Sequence, residues 1–414
     1  MALYAFDGTW NDDEPDPSGD TNVVKFRDYY KGTVNYLSGV GTRYGALGRI
    51  FGGVFGAGGQ TRIEEMYAML VENWKNGDHV IDIIGFSRGA ALAVHFANVI
   101  HDQGIKIDEA PPLQSPMIRF LGVWDVVGSF GIPINFVLNF HDMNIGYDLT
   151  VPANVAQCYH AMALDERRQA FNVTRLNANH ELVNVQEVWF RGVHSDVGGG
   201  GQTLLSNIAL HWMMENAENC GVPVDACVSQ NLPSDRTAPL SSNFDPIKND
   251  RRTLLPGDQL HQTAQGVDLA IGDKKTFSVR AEEQYSWSGV RFVKGGCYRM
   301  TIAPDEKWVD GTIECGPEGW TSDSLPFLKE VVVEVMEFRR RCPKANWFEV
   351  IGSIGQEGDL FFRIGSGCDY IAPKNGEFFA FANDLVSMYG NNHGKIKVTI
   401  QRLASCEAGK KGPC

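Results

Sequence analysis

The sequence predicts an α/β protein: a mostly parallel sheet with flanking helices, followed by a C-terminal antiparallel β-sandwich. Three observations carry this. In the first ~260 residues, short apolar runs rich in β-branched or aromatic residues alternate with helical patterns, as parallel strands joined by crossover helices require. One run, HVIDII, stops at GFSRG and passes at once into a helical pattern. After about residue 275 the texture becomes period-two alternation broken by glycine turns, as in TFSVRAEEQYSWSGVRFVKGGCYRMTI and GKIKVTI, the pattern of short antiparallel strands.

In order, Leu3 to Phe6 reads as a buried strand ending at Asp7-Gly8-Thr9, and Val80 to Ile84 as a second. Ile118 to Trp124 reads as a third, ending at Asp125, and Val185 to Val193 as a fourth, ending at His194. Helices are expected over Gln60 to Trp74, Ala90 to His101 and Leu204 to Glu215. Residues 228 to 265 are polar and turn-rich and read as a long surface excursion before a boundary. The expected domains are 1–265 and 275–405, with a helical segment, Leu325 to Arg341, interrupting the second.

Composition excludes several classes. A net charge of -13 lacks the basic face that nucleic-acid binding needs and gives no attraction to an anionic membrane. No apolar run approaches the ~20 residues of a membrane span. The start MALYAFDGTW is not a secretory signal, so the expectation is a protein that stays cytoplasmic as made, or is exported without a cleavable signal. The nine cysteines show no CxxC spacing, which argues against zinc. Their odd count suits reduced thiols, and Cys406 and Cys414 bracket the tail EAGKKGP and could pair there on oxidation.

G-x-S-x-G between a strand and a helix is the nucleophile elbow: the glycines permit a sharp turn, and the serine projects above the sheet edge at a helix N-terminus. Ser87 is the candidate nucleophile, against the bland alternative of a turn serine. A serine nucleophile needs a base, and the base an orienting acid. His194 and Asp125 follow Ser87 at expected strand ends in the order Ser, Asp, His; otherwise they are a packed loop histidine and a cap. Asp196 is a rival acid that suits a turn cap better. For the oxyanion, backbone N–H groups of Gly8 or Thr9 are expected to join that of Arg88. The Arg88 side chain has two readings, guide for an anionic group or anchor of the loop. A phosphatase DxDGT motif fails because position 5 is alanine. Gly48 to Gly59 lacks a P-loop ending and reads as a partly apolar loop that meets an acyl chain or bilayer surface, or packs inside.

FDGTWN, GVGTR, GFSRGA, GVWDVVGS, ALDERRQAF and GVHSDVGGG occur in this order over residues 6 to 200. The series resembles the DUF2235 α/β-hydrolases, which include the catalytic domain of type VI secretion phospholipase effectors of the Tle1 type. The resemblance implies a Ser-Asp-His esterase on lipid acyl esters, needing no cofactor for catalysis, with peripheral membrane contact and a delivery or immunity protein as partner. Three alternatives stay open: an esterase for a non-lipid ester such as an acetylated glycan, a carbohydrate-binding protein whose hydrolase half is inactive, and a structural or toxin-delivery module. Residues 276 to 402, through WVDG, GPEGW and FANDLVSMYGNNHGKIKVTI, resemble the calcium-dependent galactose-binding lectins of the PA-I type. That resemblance implies calcium held by side-chain oxygens of Asp384, Asn391 and Asn392 and by the carbonyls of Met388 and Gly311, with a glycan as ligand. Met388, Gly311 and the helical insert depart from the lectin pattern. The bland reading is an Asx-rich turn.

Overall fold

The computed structural model describes residues 1–8, 19–38, 55–108, 111–128, 148–168, 171–176, 184–201, 203–241, 252, 254–321, 339–356, 358 and 360–406, with backbone alone at 55–58. The chain forms two compact units, Met1–Thr263 and Ala264–Cys414.

The first unit holds a seven-stranded sheet of β1 (Ala2–Phe6), β2 (Thr33–Leu37), β3 (Ile81–Phe86), β4 (Ile118–Trp124), β5 (Gln157–Ala163), β6 (Asn184–Phe190) and β7 (Gln259–Leu260), in the order β2-β1-β3-β4-β5-β6-β7. Every pairing in it is parallel, so all C-terminal strand ends lie along one edge. Alternation along β1 shows why two core layers form. Ala2, Tyr4 and Phe6 pack with Ile63, Met66 and Phe96 of α2 (Phe55–Lys75) and α3 (Arg88–Gln103). Leu3 and Ala5 face the other way, toward Val23 and Phe26 of α1 (Asn22–Tyr29) and Met213 of α5 (Thr203–Asn219), as a period of two demands. Two short helices, α4 (His194–Gly198) and α6 (Ala226–Gln230), complete the described helices. No helix among the described residues is long and apolar enough to cross a membrane.

Three expectations change. The fourth expected strand ends at Phe190 rather than Val193, and His194 opens α4 after a bend that contains Gly192 at φ 130°. The strand β5 went unread because QCYHAMA has no β-branched residue, although its last six residues are buried. Edge strand β2, TVNYL, is only half-buried, so its apolar signal is weak. Of the expected Gly48 to Gly59 loop, residues 48–54 lie outside the described residues, and 55–59 are not loop but the first turn of α2; the Leu325 to Arg341 helix lies mostly outside the described residues.

The second unit contains two antiparallel sheets. One has β8 (Lys274–Arg280), β10 (Cys297–Ile302), β11 (Trp308–Asp310), β12 (Ile313–Cys315), β15 (Gly367–Ile371) and β17 (Asn392–Leu403). The other has β9 (Ser286–Phe292), β13 (Val350–Ile354), β14 (Phe361–Arg363) and β16 (Gly376–Ala382). Their apolar faces share one core, in which Phe292 stacks on Tyr298 and Phe378. Cys406 does not pair with Cys414: its disulfide partner is Cys297, 109 residues earlier. The reason is register. Leu403 pairs with Cys297 across β17 and β10, so the chain leaving β17 turns back beside it. Cys342 is also disulfide-bonded, so the thiols are not all reduced as the cysteine count suggested.

Candidate active site

Ser87 sits between β3 and α3 at φ 59°, ψ -125°, a left-handed conformation that costs a non-glycine residue energy and is found mainly where the surroundings enforce it. The two flanking glycines answer to crowding. A Cβ on Gly89 would lie 2.4 Å from the carbonyl oxygens of Phe6 and Asp7, and one on Gly85 2.7 Å from the Ala90 Cα. The elbow therefore presses against the end of β1 and the start of α3, where any side chain would push backbone apart. Ser87 N–H donates to the Trp124 carbonyl (3.0 Å), and Val127 N–H donates to the Ser87 carbonyl (3.2 Å). These bonds tie the elbow to the end of β4.

That strand end presents Asp125, itself at φ 42° and fully buried. Asp125 Oδ2 accepts from His194 Nδ1 (2.6 Å), and His194 Nε2 lies 2.8 Å from Ser87 Oγ. Three residues that sequence order alone had grouped thus form one hydrogen-bonded chain along the C-terminal edge of the sheet. The carboxylate on Nδ1 implies that this nitrogen carries the ring proton, leaving Nε2 to accept from the serine hydroxyl. The imidazole is held between Phe86 (ring centroids 4.6 Å apart) and Phe171 (4.7 Å).

Four residues that sequence reasoning missed position these groups. Arg252 forks onto Asp125, with Nη1 to Oδ1 at 2.6 Å and Nη2 to Oδ2 at 3.0 Å. Burial would raise the Asp125 carboxyl, but the Arg252 charge and the His194 bond prevail and hold it well below the usual carboxylate range. Glu166 Oε2 accepts the His194 backbone N–H (3.0 Å), and Arg168 pairs with Glu166 (2.8 Å) while lying over the Phe171 ring at 4.0 Å. Asp165 accepts from Gly192 N–H (3.0 Å). The expected surface excursion before the boundary supplies Arg252, and also Ser241, whose N–H donates to Asp196 (3.1 Å). Asp196 additionally accepts from Val193 N–H (3.0 Å), so it braces the turn rather than the imidazole. The one available signal was the acidic pair in ALDERRQAF; nothing local marked Arg252.

Of the expected oxyanion donors, Gly8 N–H is spent on its neighbour, 2.7 Å from Asp7 Oδ1. Thr9 lies outside the described residues. Arg88 opens α3, and first-turn amides have no intrahelical acceptor. Burial lowers its guanidinium to about 10. The Asp7 carboxyl, which also accepts from Thr21 (2.8 Å) and Tyr36 (2.9 Å), is raised by burial to about 6.

In the second unit, the expected cation residues converge in part. Asp384 Oδ2 accepts from Asn392 Nδ2 (3.0 Å), and Asp384 Oδ1 from Leu385 N–H (2.6 Å). The side-chain oxygens of Asn391 and Asn392 are buried with no hydrogen-bond partner. Asp310, unforeseen from sequence, joins them: burial and the nearby Asp384 charge raise its carboxyl to about 6. The Met388 carbonyl accepts from Asn391 N–H (3.2 Å), and its side chain is exposed. Gly311 lies against Asn391, at φ 57°. Among the described residues no group of three or more His, Cys, Asp or Glu converges as a metal site. The cluster offers only oxygens, which fits a hard cation and not zinc.

Comparison with known proteins gives a family and several distant likenesses. No curated protein is similar enough to count as a relative. Among solved structures, an uncharacterized Pseudomonas aeruginosa protein is 19% identical, with a TM-score of 0.32 over 54% of this chain. This chain covers 46% of that protein's length, less than half. The EclA N-terminal domain, a PllA-like lectin, matches at 16% identity and TM-score 0.23, over 31% of this chain and 95% of its own. A Tle1 effector, solved bound to the VgrG spike of the type 6 secretion system, matches at 13% identity and TM-score 0.34, over 94% of this chain and 70% of its own. The family model described as "T6SS, Phospholipase effector Tle1-like, catalytic domain" matches residues 3–114 and 106–216. Those segments run through β1–β6 and both flanking layers, including Ser87, Asp125 and His194, and span just over half of the 414 residues: the chain belongs to the Tle1-like phospholipase effector catalytic domain family.

Proposed function

We propose that this chain is a serine ester hydrolase acting on lipid acyl esters, with Ser87 as nucleophile, His194 as base and Asp125 as its orienting acid. The observation that carries this reading is the continuous hydrogen-bonded chain from Ser87 Oγ through both His194 nitrogens to Asp125. Family membership supports the phospholipid class of substrate.

His194 Nε2 takes the Ser87 proton as Oγ attacks the ester carbonyl, and Asp125 stabilises the imidazolium that forms. The Arg88 backbone N–H, with the positive end of α3 behind it, faces the developing oxyanion. Protonated His194 then gives its proton to the departing alcohol or lysolipid. Water, activated by the same imidazole, releases the fatty acid. The Phe86 ring, stacked on that imidazole, and the Phe171 ring, tilted against it, hold it in place through both half-reactions. A fluorophosphonate probe should label the protein at Ser87, identified by mapping the modified peptide, and Ser87→Ala should lose both label and turnover of phospholipid vesicles. Full turnover in Ser87→Ala would refute the reading.

A second reading concerns the other unit: a hard cation, calcium by resemblance, bound by Asp384, Asn391 and Asn392, with Asp310 added. Two buried amide oxygens without partners favour it, because an unpaired buried acceptor costs about 1–3 kcal/mol and a cation removes that cost. When bound, the cation would supply a fixed positive charge able to coordinate hydroxyl oxygens of a glycan. Delivery and immunity partners belong to this proposal as well, as the family implies.

A further inference from the structure

We infer that Arg252 is a positioning residue for the proposed reaction: it locks the Asp125 carboxylate in the orientation that receives His194 Nδ1–H. This inference rests on the Ser87-His194-Asp125 reading. The guanidinium contacts both Asp125 oxygens, and Nη1 and Nη2 also reach the Ala163 carbonyl (2.6 Å) and the Phe171 carbonyl. Its side chain is 8% exposed beside an Asp125 side chain that is 0% exposed. Such a fork is a fixed bidentate clamp that a lysine cannot reproduce.

The other charged groups around the loop have partners of their own. Glu166 binds the His194 backbone and pairs with Arg168, Asp165 binds Gly192, and Asp196 binds Val193 and Ser241. Arg252 is the cation that meets both oxygens of the Asp125 carboxylate, and it is delivered by a polar segment.

The test is kcat and KM for a soluble short-chain ester in the full chain, comparing wild type, Arg252→Gln and Arg252→Lys, alongside melting temperature and the rate of fluorophosphonate labelling at Ser87. In Arg252→Gln, kcat and the labelling rate should fall about tenfold or more while KM stays within about twofold. Arg252→Lys, which restores charge without the fork, should leave much of the loss in kcat. If Arg252→Gln fails to fold, Arg252→Lys alone decides: reduced kcat at a wild-type KM supports the inference, and wild-type kcat overturns it. A folded Arg252→Gln with kcat within twofold of wild type also overturns it while Ser87 still labels. Labelling that maps away from Ser87 instead overturns the triad reading, and this inference with it.

Discussion

Replacing Gly198 with alanine should damage the site from behind without touching any reacting group. Gly198 ends α4, and its φ is not in the left-handed region, so an alanine suits the backbone there. The obstacle is space. An added Cβ would lie 1.8 Å from Phe86 Cε2 and 2.2 Å from Cδ2, whereas ordinary contact begins at 3.4 Å. The Phe86 ring must therefore retreat by about 1.6 Å or α4 must lift by a similar amount. Either movement reaches His194, since Phe86 stacks on its ring and α4 begins with it. Overpacking of this kind costs about 1–3 kcal/mol, a fall in melting temperature of several degrees for a unit of this size. Misplacing a reacting group by about 1 Å can cost about 100-fold in rate, so kcat/KM on a chromogenic short-chain ester should drop by that order. Phe86→Leu in the Gly198→Ala background should recover part of the melting temperature. A Gly198→Ala protein with wild-type kcat/KM would refute the idea that this ring fixes the imidazole.

Asp125→Asn should lower ester turnover about 10⁴-fold, because the amide holds the wrong imidazole tautomer, and should also destabilise the fold by roughly 3–5 kcal/mol by leaving Arg252 buried without its carboxylate; a fluorophosphonate labelling rate within tenfold of wild type would contradict this. Asp7 predicts a pH signature in stability: its carboxyl is raised to about 6 when folded from about 3.9 when unfolded. The folded state thus holds that proton more tightly, so this contribution is full below about pH 4 and is lost as pH rises through 6. The melting temperature of wild type minus that of Asp7→Asn should fall across that window, and a constant difference would count against a buried, raised acid. Calcium should raise the melting temperature of the intact protein, and the rise should largely vanish in Asp384→Ala; an equal response in both would sink the oxygen cluster as a cation site.

The sheet's first, third, fourth and sixth strands were legible because each is an apolar run between turn signals, and Ser87, Asp125 and His194 because each follows one. What escaped has physical reasons. β5 is built from glutamine, cysteine, tyrosine, histidine, methionine and alanine, with no β-branched residue and one tyrosine as its strong strand former. The strand before His194 was read three residues too long because Arg191-Gly192-Val193 continues the alternation, while the positive φ of Gly192 breaks it. Arg252 was invisible because its meaning depends on a partner 127 residues away, and its neighbourhood reads as solvated loop. Asp310 was passed over for the same reason: an acid at a strand end gains significance only when β11 is laid against the first residues of β17.

The Cys297–Cys406 bond turns most of the second unit into a covalent ring. A protease cut anywhere between these two cysteines would leave the pieces joined, migrating as one band until a reductant is added and as two afterwards. The ring also gives the chain a history: it closes only where thiols are oxidised, so protein isolated from a reducing compartment and from an oxidising one should differ in mobility on the same gel.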